Sequence, residues 1–281
     1  MKVFYYLLAF LLFSDFLLVA QSSSQLFDKS KMEYMGSKQK QAKLLMRKVG
    51  MWGKILEKEA HVDPLFLNLL DSAIGISRNK LKEYLNSQNV NETDVGGSIG
   101  LKLSYIMHKG KNVYAKYFVI HDVSFPVFKH SFPENINSDS WSFNNPRNWN
   151  KKVTHTYLTR TGGLNTVTSF AKGLRATKFE LKILGTASKG LFIHVELIQP
   201  RVYPPGSTIS APVAPKLGFT EAQYKKLALL YICASVRKEE WLVPSFHVNI
   251  DEKLNDFHDD PQNFETQKFT SEVLELVSRL R

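Results

Sequence analysis

Three stretches of this sequence place a polar group at the end of an apolar run: Val119-Ile120-His121, Ile193-His194-Val195-Glu196, and Ser245-Phe246-His247, followed at a distance by Asp260-Pro261. A buried strand gains nothing from an imidazole or a carboxyl unless that group is paired or has work to do. Catalytic zinc takes three nitrogen or oxygen ligands from rigid, separate elements and keeps a fourth position for water, and two histidines with one aspartate fit that requirement. Taken singly, His121 and His247 each read more readily as satisfied core histidines than as ligands. The case for metal rests on the three stretches together.

The elements that must position these groups are legible from periodicity. After Asn91 come extended runs at Ile99 to Tyr105, Tyr114 to Val123, Val153 to Arg160 and Leu191 to Ile198. The second and fourth are apolar on both faces, as strands of a sheet covered on both sides by helices must be. Gly162-Gly163 marks a tight turn after the third run. The last clear helical pattern begins at Thr220, with Gln223 in the capping-box position and Phe219 placed to staple against Tyr224; Tyr224, Leu227, Tyr231 and Ala234 form its apolar stripe. Ahead of the sheet, Leu45, Val49, Trp52 and Leu56 predict one amphipathic helix from about Ser37 to Ala60, and Asp63-Pro64 caps a second. The chain therefore divides into a helical region over 21–92 and a main α/β domain over 93–281. Two stretches read as loops. Residues 127–150, rich in Asn, Ser, Pro and aromatics, suit either one wall of a groove or surface cover, and Tyr203 to Leu217 is rich in proline.

With 281 residues, 43% of them hydrophobic and 22% charged, the chain has the composition of a folded globular protein. Cys233 is the only cysteine, so no internal disulfide forms, and its apolar helical setting predicts a buried thiol. The net charge of +11 favours anionic polymers as partners. Basic residues are scattered among acids without a stripe or a stacking-aromatic motif, which argues against nucleic acid. Residues 1–20 read as a secretory signal peptide: Lys2, an apolar run, and Leu18-Val19-Ala20 before a polar stretch. Asp15 makes the same segment costly as a membrane span. The expectation is export to the periplasm or the extracellular medium, with no stable membrane insertion after cleavage.

Read together, the flanking residues resemble the type-2 N-acetylmuramoyl-L-alanine amidases, the family that includes the peptidoglycan-recognition proteins and anhydro-muropeptide amidases. Tyr117 to Pro126 is similar to that family's first-ligand strand, and Val153 to Arg160 with its glycine turn to the next. Phe192 to Leu197 looks like the strand ending in its catalytic glutamate, and Phe219 to Ala228 like the helix that follows. His247 to Ile250 with Asp260 to Phe264 resembles its closing segment, so the likeness covers residues 95–270 in the family's own order.

The resemblance implies an α/β fold with a central mixed sheet flanked by helices, zinc held by His121, His247 and Asp260, and Glu196 as the group that handles protons. It implies hydrolysis of the amide between N-acetylmuramic acid and L-alanine in peptidoglycan or muropeptides. The alternatives are a non-catalytic peptidoglycan-binding protein of the same fold and a secreted amidase acting on another cell-wall amide. Two departures stand out. His258 occupies the place of a lysine that the family commonly has two residues before its third ligand, and the spacing from His247 to Asp260 is some three residues longer. His258 and Asp259 are therefore alternatives to Asp260 as the third ligand. In the lysine's place, a positive His258 would help to hold a developing oxyanion. Histidine loses its proton near about 6.5 and lysine near about 10.4. Muropeptide cleavage should then fall early on the alkaline side, and His258→Lys should extend it. An unchanged pH–rate profile in that variant removes His258 from the mechanism.

Overall fold

The structure, a computed structural model, describes residues 22–203, 212–254 and 258–281; the expected signal segment and part of the proline-rich loop lie outside them. Five strands form the central sheet: β1 (Tyr117–Asp122), β2 (Thr156–Leu158), β3 (Leu164–Thr166), β4 (Phe192–Leu197) and β5 (Val243–Phe246). Their spatial order is β5-β1-β4-β2-β3. The first four in that order run parallel, and β3 turns back antiparallel on β2 through the expected Gly162 turn, where φ is +87°. The fold is α/β with a mixed central sheet.

Helices α1 (Lys38–Leu45), α2 (Pro64–Leu70), α3 (Arg78–Ser87), α4 (Glu221–Lys238), α5 (His247–Ile250) and α6 (Thr266–Leu280) surround it. Both faces of β1 are buried because each has its own cover. On one face Phe118 packs edge-on to Tyr231 of α4, with ring centroids 5.5 Å apart. On the other, Tyr117 stacks on Phe192 of β4 and meets the N-terminal segment: its hydroxyl accepts from the Tyr34 N–H at 2.7 Å and lies 3.1 Å from Gln41 Oε1 on α1. The capping box of α4 is formed as expected, with Thr220 Oγ1 accepting from the Gln223 N–H. Cys233 is buried on that helix, and burial pushes its thiol pKa well up.

Three expectations change. The helix expected over Ser37 to Ala60 ends at Leu45; the chain then bends through Gly50 and Gly53, and Val49 pairs with Ile55 in an antiparallel bridge. Trp52 and Leu56, counted as part of its apolar stripe, are exposed. Ile99 to Tyr105 forms no strand until Tyr105, where a hairpin of Tyr105–His108 with Lys111–Tyr114 begins. The carbonyls of Gly96, Leu101 and Lys102 accept from the buried Arg237 guanidinium instead of from a neighbouring strand. A further helix, α6, lies beyond the helical pattern at Thr220, with Phe269, Val273, Leu276, Val277 and Leu280 on its buried side.

Residues 22–92 share one continuous apolar core with the sheet, from Phe27 to Leu280. Among the described residues no helix is long and apolar enough to cross a membrane. Leu45 is fully buried where α1 packs against β5. Leu45→Ala should therefore cost about 2–5 kcal/mol in one cooperative urea transition. A separate, weaker transition for the N-terminal segment would contradict the shared core.

Candidate metal centre

Parallel pairing brings the chemistry to one edge. Side chains opposite one another in register share a face, and His121 on β1 pairs with Glu196 on β4, which pairs in turn with Tyr157 on β2. On the other side of β1, Phe246 is opposite Ile120, so His247, the next residue, falls in the row of His121. All four lie at the carboxyl ends of parallel strands, where α/β sheets open their crevices.

Asp260 completes the group. Its Oδ2 is 3.4 Å from His121 Nδ1 and 3.0 Å from His247 Nδ1, and all three side chains are nearly sealed from solvent. The ligand atoms of His121, His247 and Asp260 lie within 4.8 Å of one another, an arrangement that can hold a metal ion. Tetrahedral ligands about 2.0–2.2 Å from an ion stand about 3.3–3.6 Å apart, close to the spacings found. Glu196 Oε2 is buried without a hydrogen-bond partner, so acceptor capacity is left over at this spot. Burial by itself would raise the Asp260 carboxyl; the charge of His247 and hydrogen bonds from His121, His247 and His258 hold it well below the usual range. Burial lowers His121 to about 4, which keeps its ring neutral and able to ligate.

Of the alternative ligands, Asp259 faces away, toward Arg201 Nη2 at 3.4 Å and the Gln262 side chain. His258 is 56% exposed, with Nδ1 3.2 Å from Asp260 Oδ1 and its ring centroid 4.5 Å from that of His247, at the mouth of the site. The segment that delivers Asp260 is tied to the sheet by charge. Arg201 Nη2 donates to both oxygens of Asp122 at 2.7 and 2.9 Å, and the Gln262 N–H donates to Asp122 Oδ2 at 3.2 Å.

Around these residues lies a set of buried polar groups that the sequence did not reveal. His247 Nε2 is 3.0 Å from Asp251 Oδ2, one helical turn on, and the Asp251 carboxylate also accepts from the N–H groups of Lys178 and Phe179. His121 Nε2 is 3.0 Å from His194 Nδ1, and His194 Nε2 lies 3.1 Å from Glu180 Oε2 without hydrogen-bond alignment. Glu180 is itself buried and accepts from the N–H groups of Ala176 and Thr177; burial raises its carboxyl to about 7. His194 points to the face of Glu196, as strand alternation requires, but its partner is His121. Both imidazoles can thus present Nδ1 to an ion while Nε2–H is held from behind, the arrangement that orients metal-bound histidines. The i,i+4 spacing of His247 and Asp251 was the available signal; Glu180 offered none, being distant in sequence.

No protein-family model matches this chain, and no curated protein matches it.

Glu196 Oε1 is 4.0 Å from His121 Nδ1 and its side chain is 16% exposed. Burial first, then the negative charge of Asp260, raises its carboxyl to about 8. Beyond it opens a cleft of about 710 Å³, within the size range of ligand sites. The 127–150 loop does form a wall of this cleft: Phe143, Asn148 and Trp149 line it, followed by Lys151 to Val153. Trp149 Nε1 donates to the Phe143 carbonyl at 2.8 Å, and its ring stands 5.8 Å from Tyr157.

Asp251→Asn should weaken binding of a divalent metal ion about 10–100-fold by replacing the charged acceptor behind His247 with a neutral amide; competition with a chromogenic chelator measures it. His155 accepts from the His194 N–H through Nδ1, and its Nε2 lies 3.0 Å from the Lys172 carbonyl. Burial lowers it to about 3. In long-range nitrogen–proton NMR its ring should stay in the Nε2–H tautomer from pH 8 down to about pH 5, while exposed histidines titrate.

Proposed function

We propose that this chain is an exported, zinc-dependent hydrolase of the amide between N-acetylmuramic acid and L-alanine in peptidoglycan or its fragments. The observation that carries the reading is a buried His–His–Asp group with Glu196 beside it at the floor of an open cleft. Two imidazoles and one carboxylate suit a transition metal over calcium or magnesium, which prefer all-oxygen ligation, and the residue likeness over 95–270 selects zinc among those. Three ligands leave a corner for reaction, and the residue likeness over 95–270 supplies the bond to be cut. When bound, zinc supplies Lewis acidity, acidifying water and polarising a carbonyl oxygen.

The chain's own residues do the rest. Glu196, deprotonated by a neighbouring cation despite its burial, takes a proton from the attacking water on Oε1 and returns it to the departing alanine nitrogen. His258, exposed at the mouth, stands beside the carbonyl oxygen as negative charge develops there. Asp251 and His194 fix the two ligand rings. The aromatic wall of Phe143 and Trp149 narrows the approach and keeps bulk water from one side of the scissile bond.

Glu196→Gln should retain zinc and lower cleavage of muropeptides by about 10²–10⁴-fold, read by mass spectrometry of the digest. Products carrying a free L-alanine amine and an intact lactyl carboxylate identify the bond. Wild-type protein that binds zinc and peptidoglycan yet releases no such products would assign the fold to recognition alone.

A further inference from the structure

The end of the sheet opposite the cleft carries a surface of another kind. The hairpin of Tyr105–His108 with Lys111–Tyr114 stops just before β1, and the segment that begins at Phe179 stops just before β4. Both therefore sit at the amino ends of parallel strands whose carboxyl ends hold His121 and Glu196. The turn at 28–31 joins them. Lys29 Nζ donates to the Ile183 carbonyl at 3.2 Å, Lys109 Nζ donates to the Ser30 carbonyl at 2.9 Å, and the Ser104 hydroxyl donates to the Gly190 carbonyl at 3.0 Å. Three stretches of chain thus form one continuous surface.

Strand alternation fixes what the hairpin shows to solvent. Ile106 is buried in the core and Val113, opposite it, packs there too, so Tyr105 and Met107 point outward, 49% and 65% exposed. On the neighbouring segment Leu181 and Ile183 are exposed as well. Among these apolar side chains stand Lys29, Lys102, Lys109, Lys111, Lys182 and Lys189, all exposed, and none within ion-pair distance of a carboxylate among the described residues. The acids in these stretches are engaged or buried: Asp28 accepts from the Ser30 N–H and lies 4.0 Å from Lys31, Glu33 pairs with Lys116 at 2.6 Å, and Glu180 faces His194 in the interior. What faces outward is cationic and apolar at once. A soluble polyanion would satisfy the lysines and gain nothing from methionine, leucine or isoleucine. A bilayer with anionic headgroups takes both, since apolar tips enter the acyl boundary, a tyrosine ring suits the headgroup level, and lysine stems lie along apolar surface with their heads at the phosphates.

We infer that this face docks the protein peripherally on an anionic phospholipid bilayer. Surface docking of this kind needs no spanning segment. The six residues of β1 rise about 20 Å from the docked end, so the candidate metal centre stands at the far end of the sheet from the lipid. Docking itself is independent of the amidase reading; that the raised cleft then meets a peptidoglycan layer beside the membrane rests on that reading.

The test uses the chain from residue 21 onward, which contains every described residue, in sedimentation with vesicles of phosphatidylcholine alone or mixed equally with phosphatidylglycerol. Partitioning should be at least about tenfold stronger onto the mixed vesicles and should fall as salt rises. Lys109→Glu with Lys111→Glu should remove most of it, whereas Lys151→Glu with Lys152→Glu, the same change of charge at the cleft, should leave it in place. Met107→Ser with Leu181→Ser keeps the charge and should also weaken partitioning, with an unchanged melting temperature. Because Cys233 is buried, bimane attached through Met107→Cys reports on that position alone; its emission should shift to the blue on mixed vesicles, and bimane attached through Val153→Cys should not shift. Equal partitioning onto both vesicles, equal loss in the two charge variants, undiminished partitioning of the serine variant, or a blue shift at position 153 overturns the inference. So does a serine variant that loses only self-association, which would assign the face to a second copy of the chain. Docking by a protein that releases no muropeptide products supports this surface while sinking the amidase reading, and cleavage without docking does the reverse.

Discussion

The site depends on one carboxylate buried between imidazoles. Asp260 is 2% exposed, and a carboxylate taken out of water costs several kcal/mol unless cations or hydrogen bonds compensate it. His121, His247 and His258 all turn a nitrogen toward it. A metal ion in that group would meet the same electrostatic demand more fully than partly protonated rings, because it brings two positive charges to a point that water cannot reach. Such a group holds its shape only if the backbone around it cannot relax. The pairing of Arg201 with Asp122, to which the Gln262 N–H is also bound, supplies that fixation from the end of β1 itself.

The remainder of the fold serves the same edge. Below the ligands, the site face of the sheet is filled by Tyr117, Phe192 and Phe179 and closed by Tyr34 and Gln41. The N-terminal segment is therefore the lid on the lower half of the face whose upper half is the cleft. It also braces the ligand loop directly. Asn249 Nδ2 donates to the Arg47 carbonyl at 2.8 Å, and Arg47 pairs with Glu252 at 2.8 Å, a few residues from His247. At Gly53 the approach is closer still: a β-carbon there would meet the His258 carbonyl oxygen at 2.3 Å, so the turn at 51–53 and the segment carrying Asp260 are packed backbone to backbone.

The turn at 176–180 ties His121 and His247 together from behind. Its N–H groups bind Asp251, which holds His247, and Glu180, which faces His194 and through it His121. Strand register thus sets where the two histidines stand, and a single short segment sets how their rings are turned. Arg175 precedes that segment, which is how one stretch of chain reaches both the interior of the site and the wall of its cleft.

The sequence by itself determined the elements whose cause is local. The apolar runs around His121 and Glu196 had to be buried strands, Thr220 and Gln223 had to cap a helix, and Gly162-Gly163 had to turn the chain. The three candidate ligands were legible too, because each interrupts or follows an apolar run with a group that burial penalises. The stripe of α6, from Phe269 to Leu280, is equally present in the sequence. The false helix through Trp52 arose because spacing alone does not distinguish a helix from a bend at Gly50 and Gly53. Tertiary structure alone decided the rest. Asp259 and Asp260 are neighbours of the same chemical type, and only the position of Arg201 turns one away and leaves the other to the histidines. Glu180 reaches the site from a part of the chain with no local mark of its role. Propensity and capping act over a few residues, whereas the partner of a buried charge is chosen by which strands and loops the whole chain brings within about 3 Å of it.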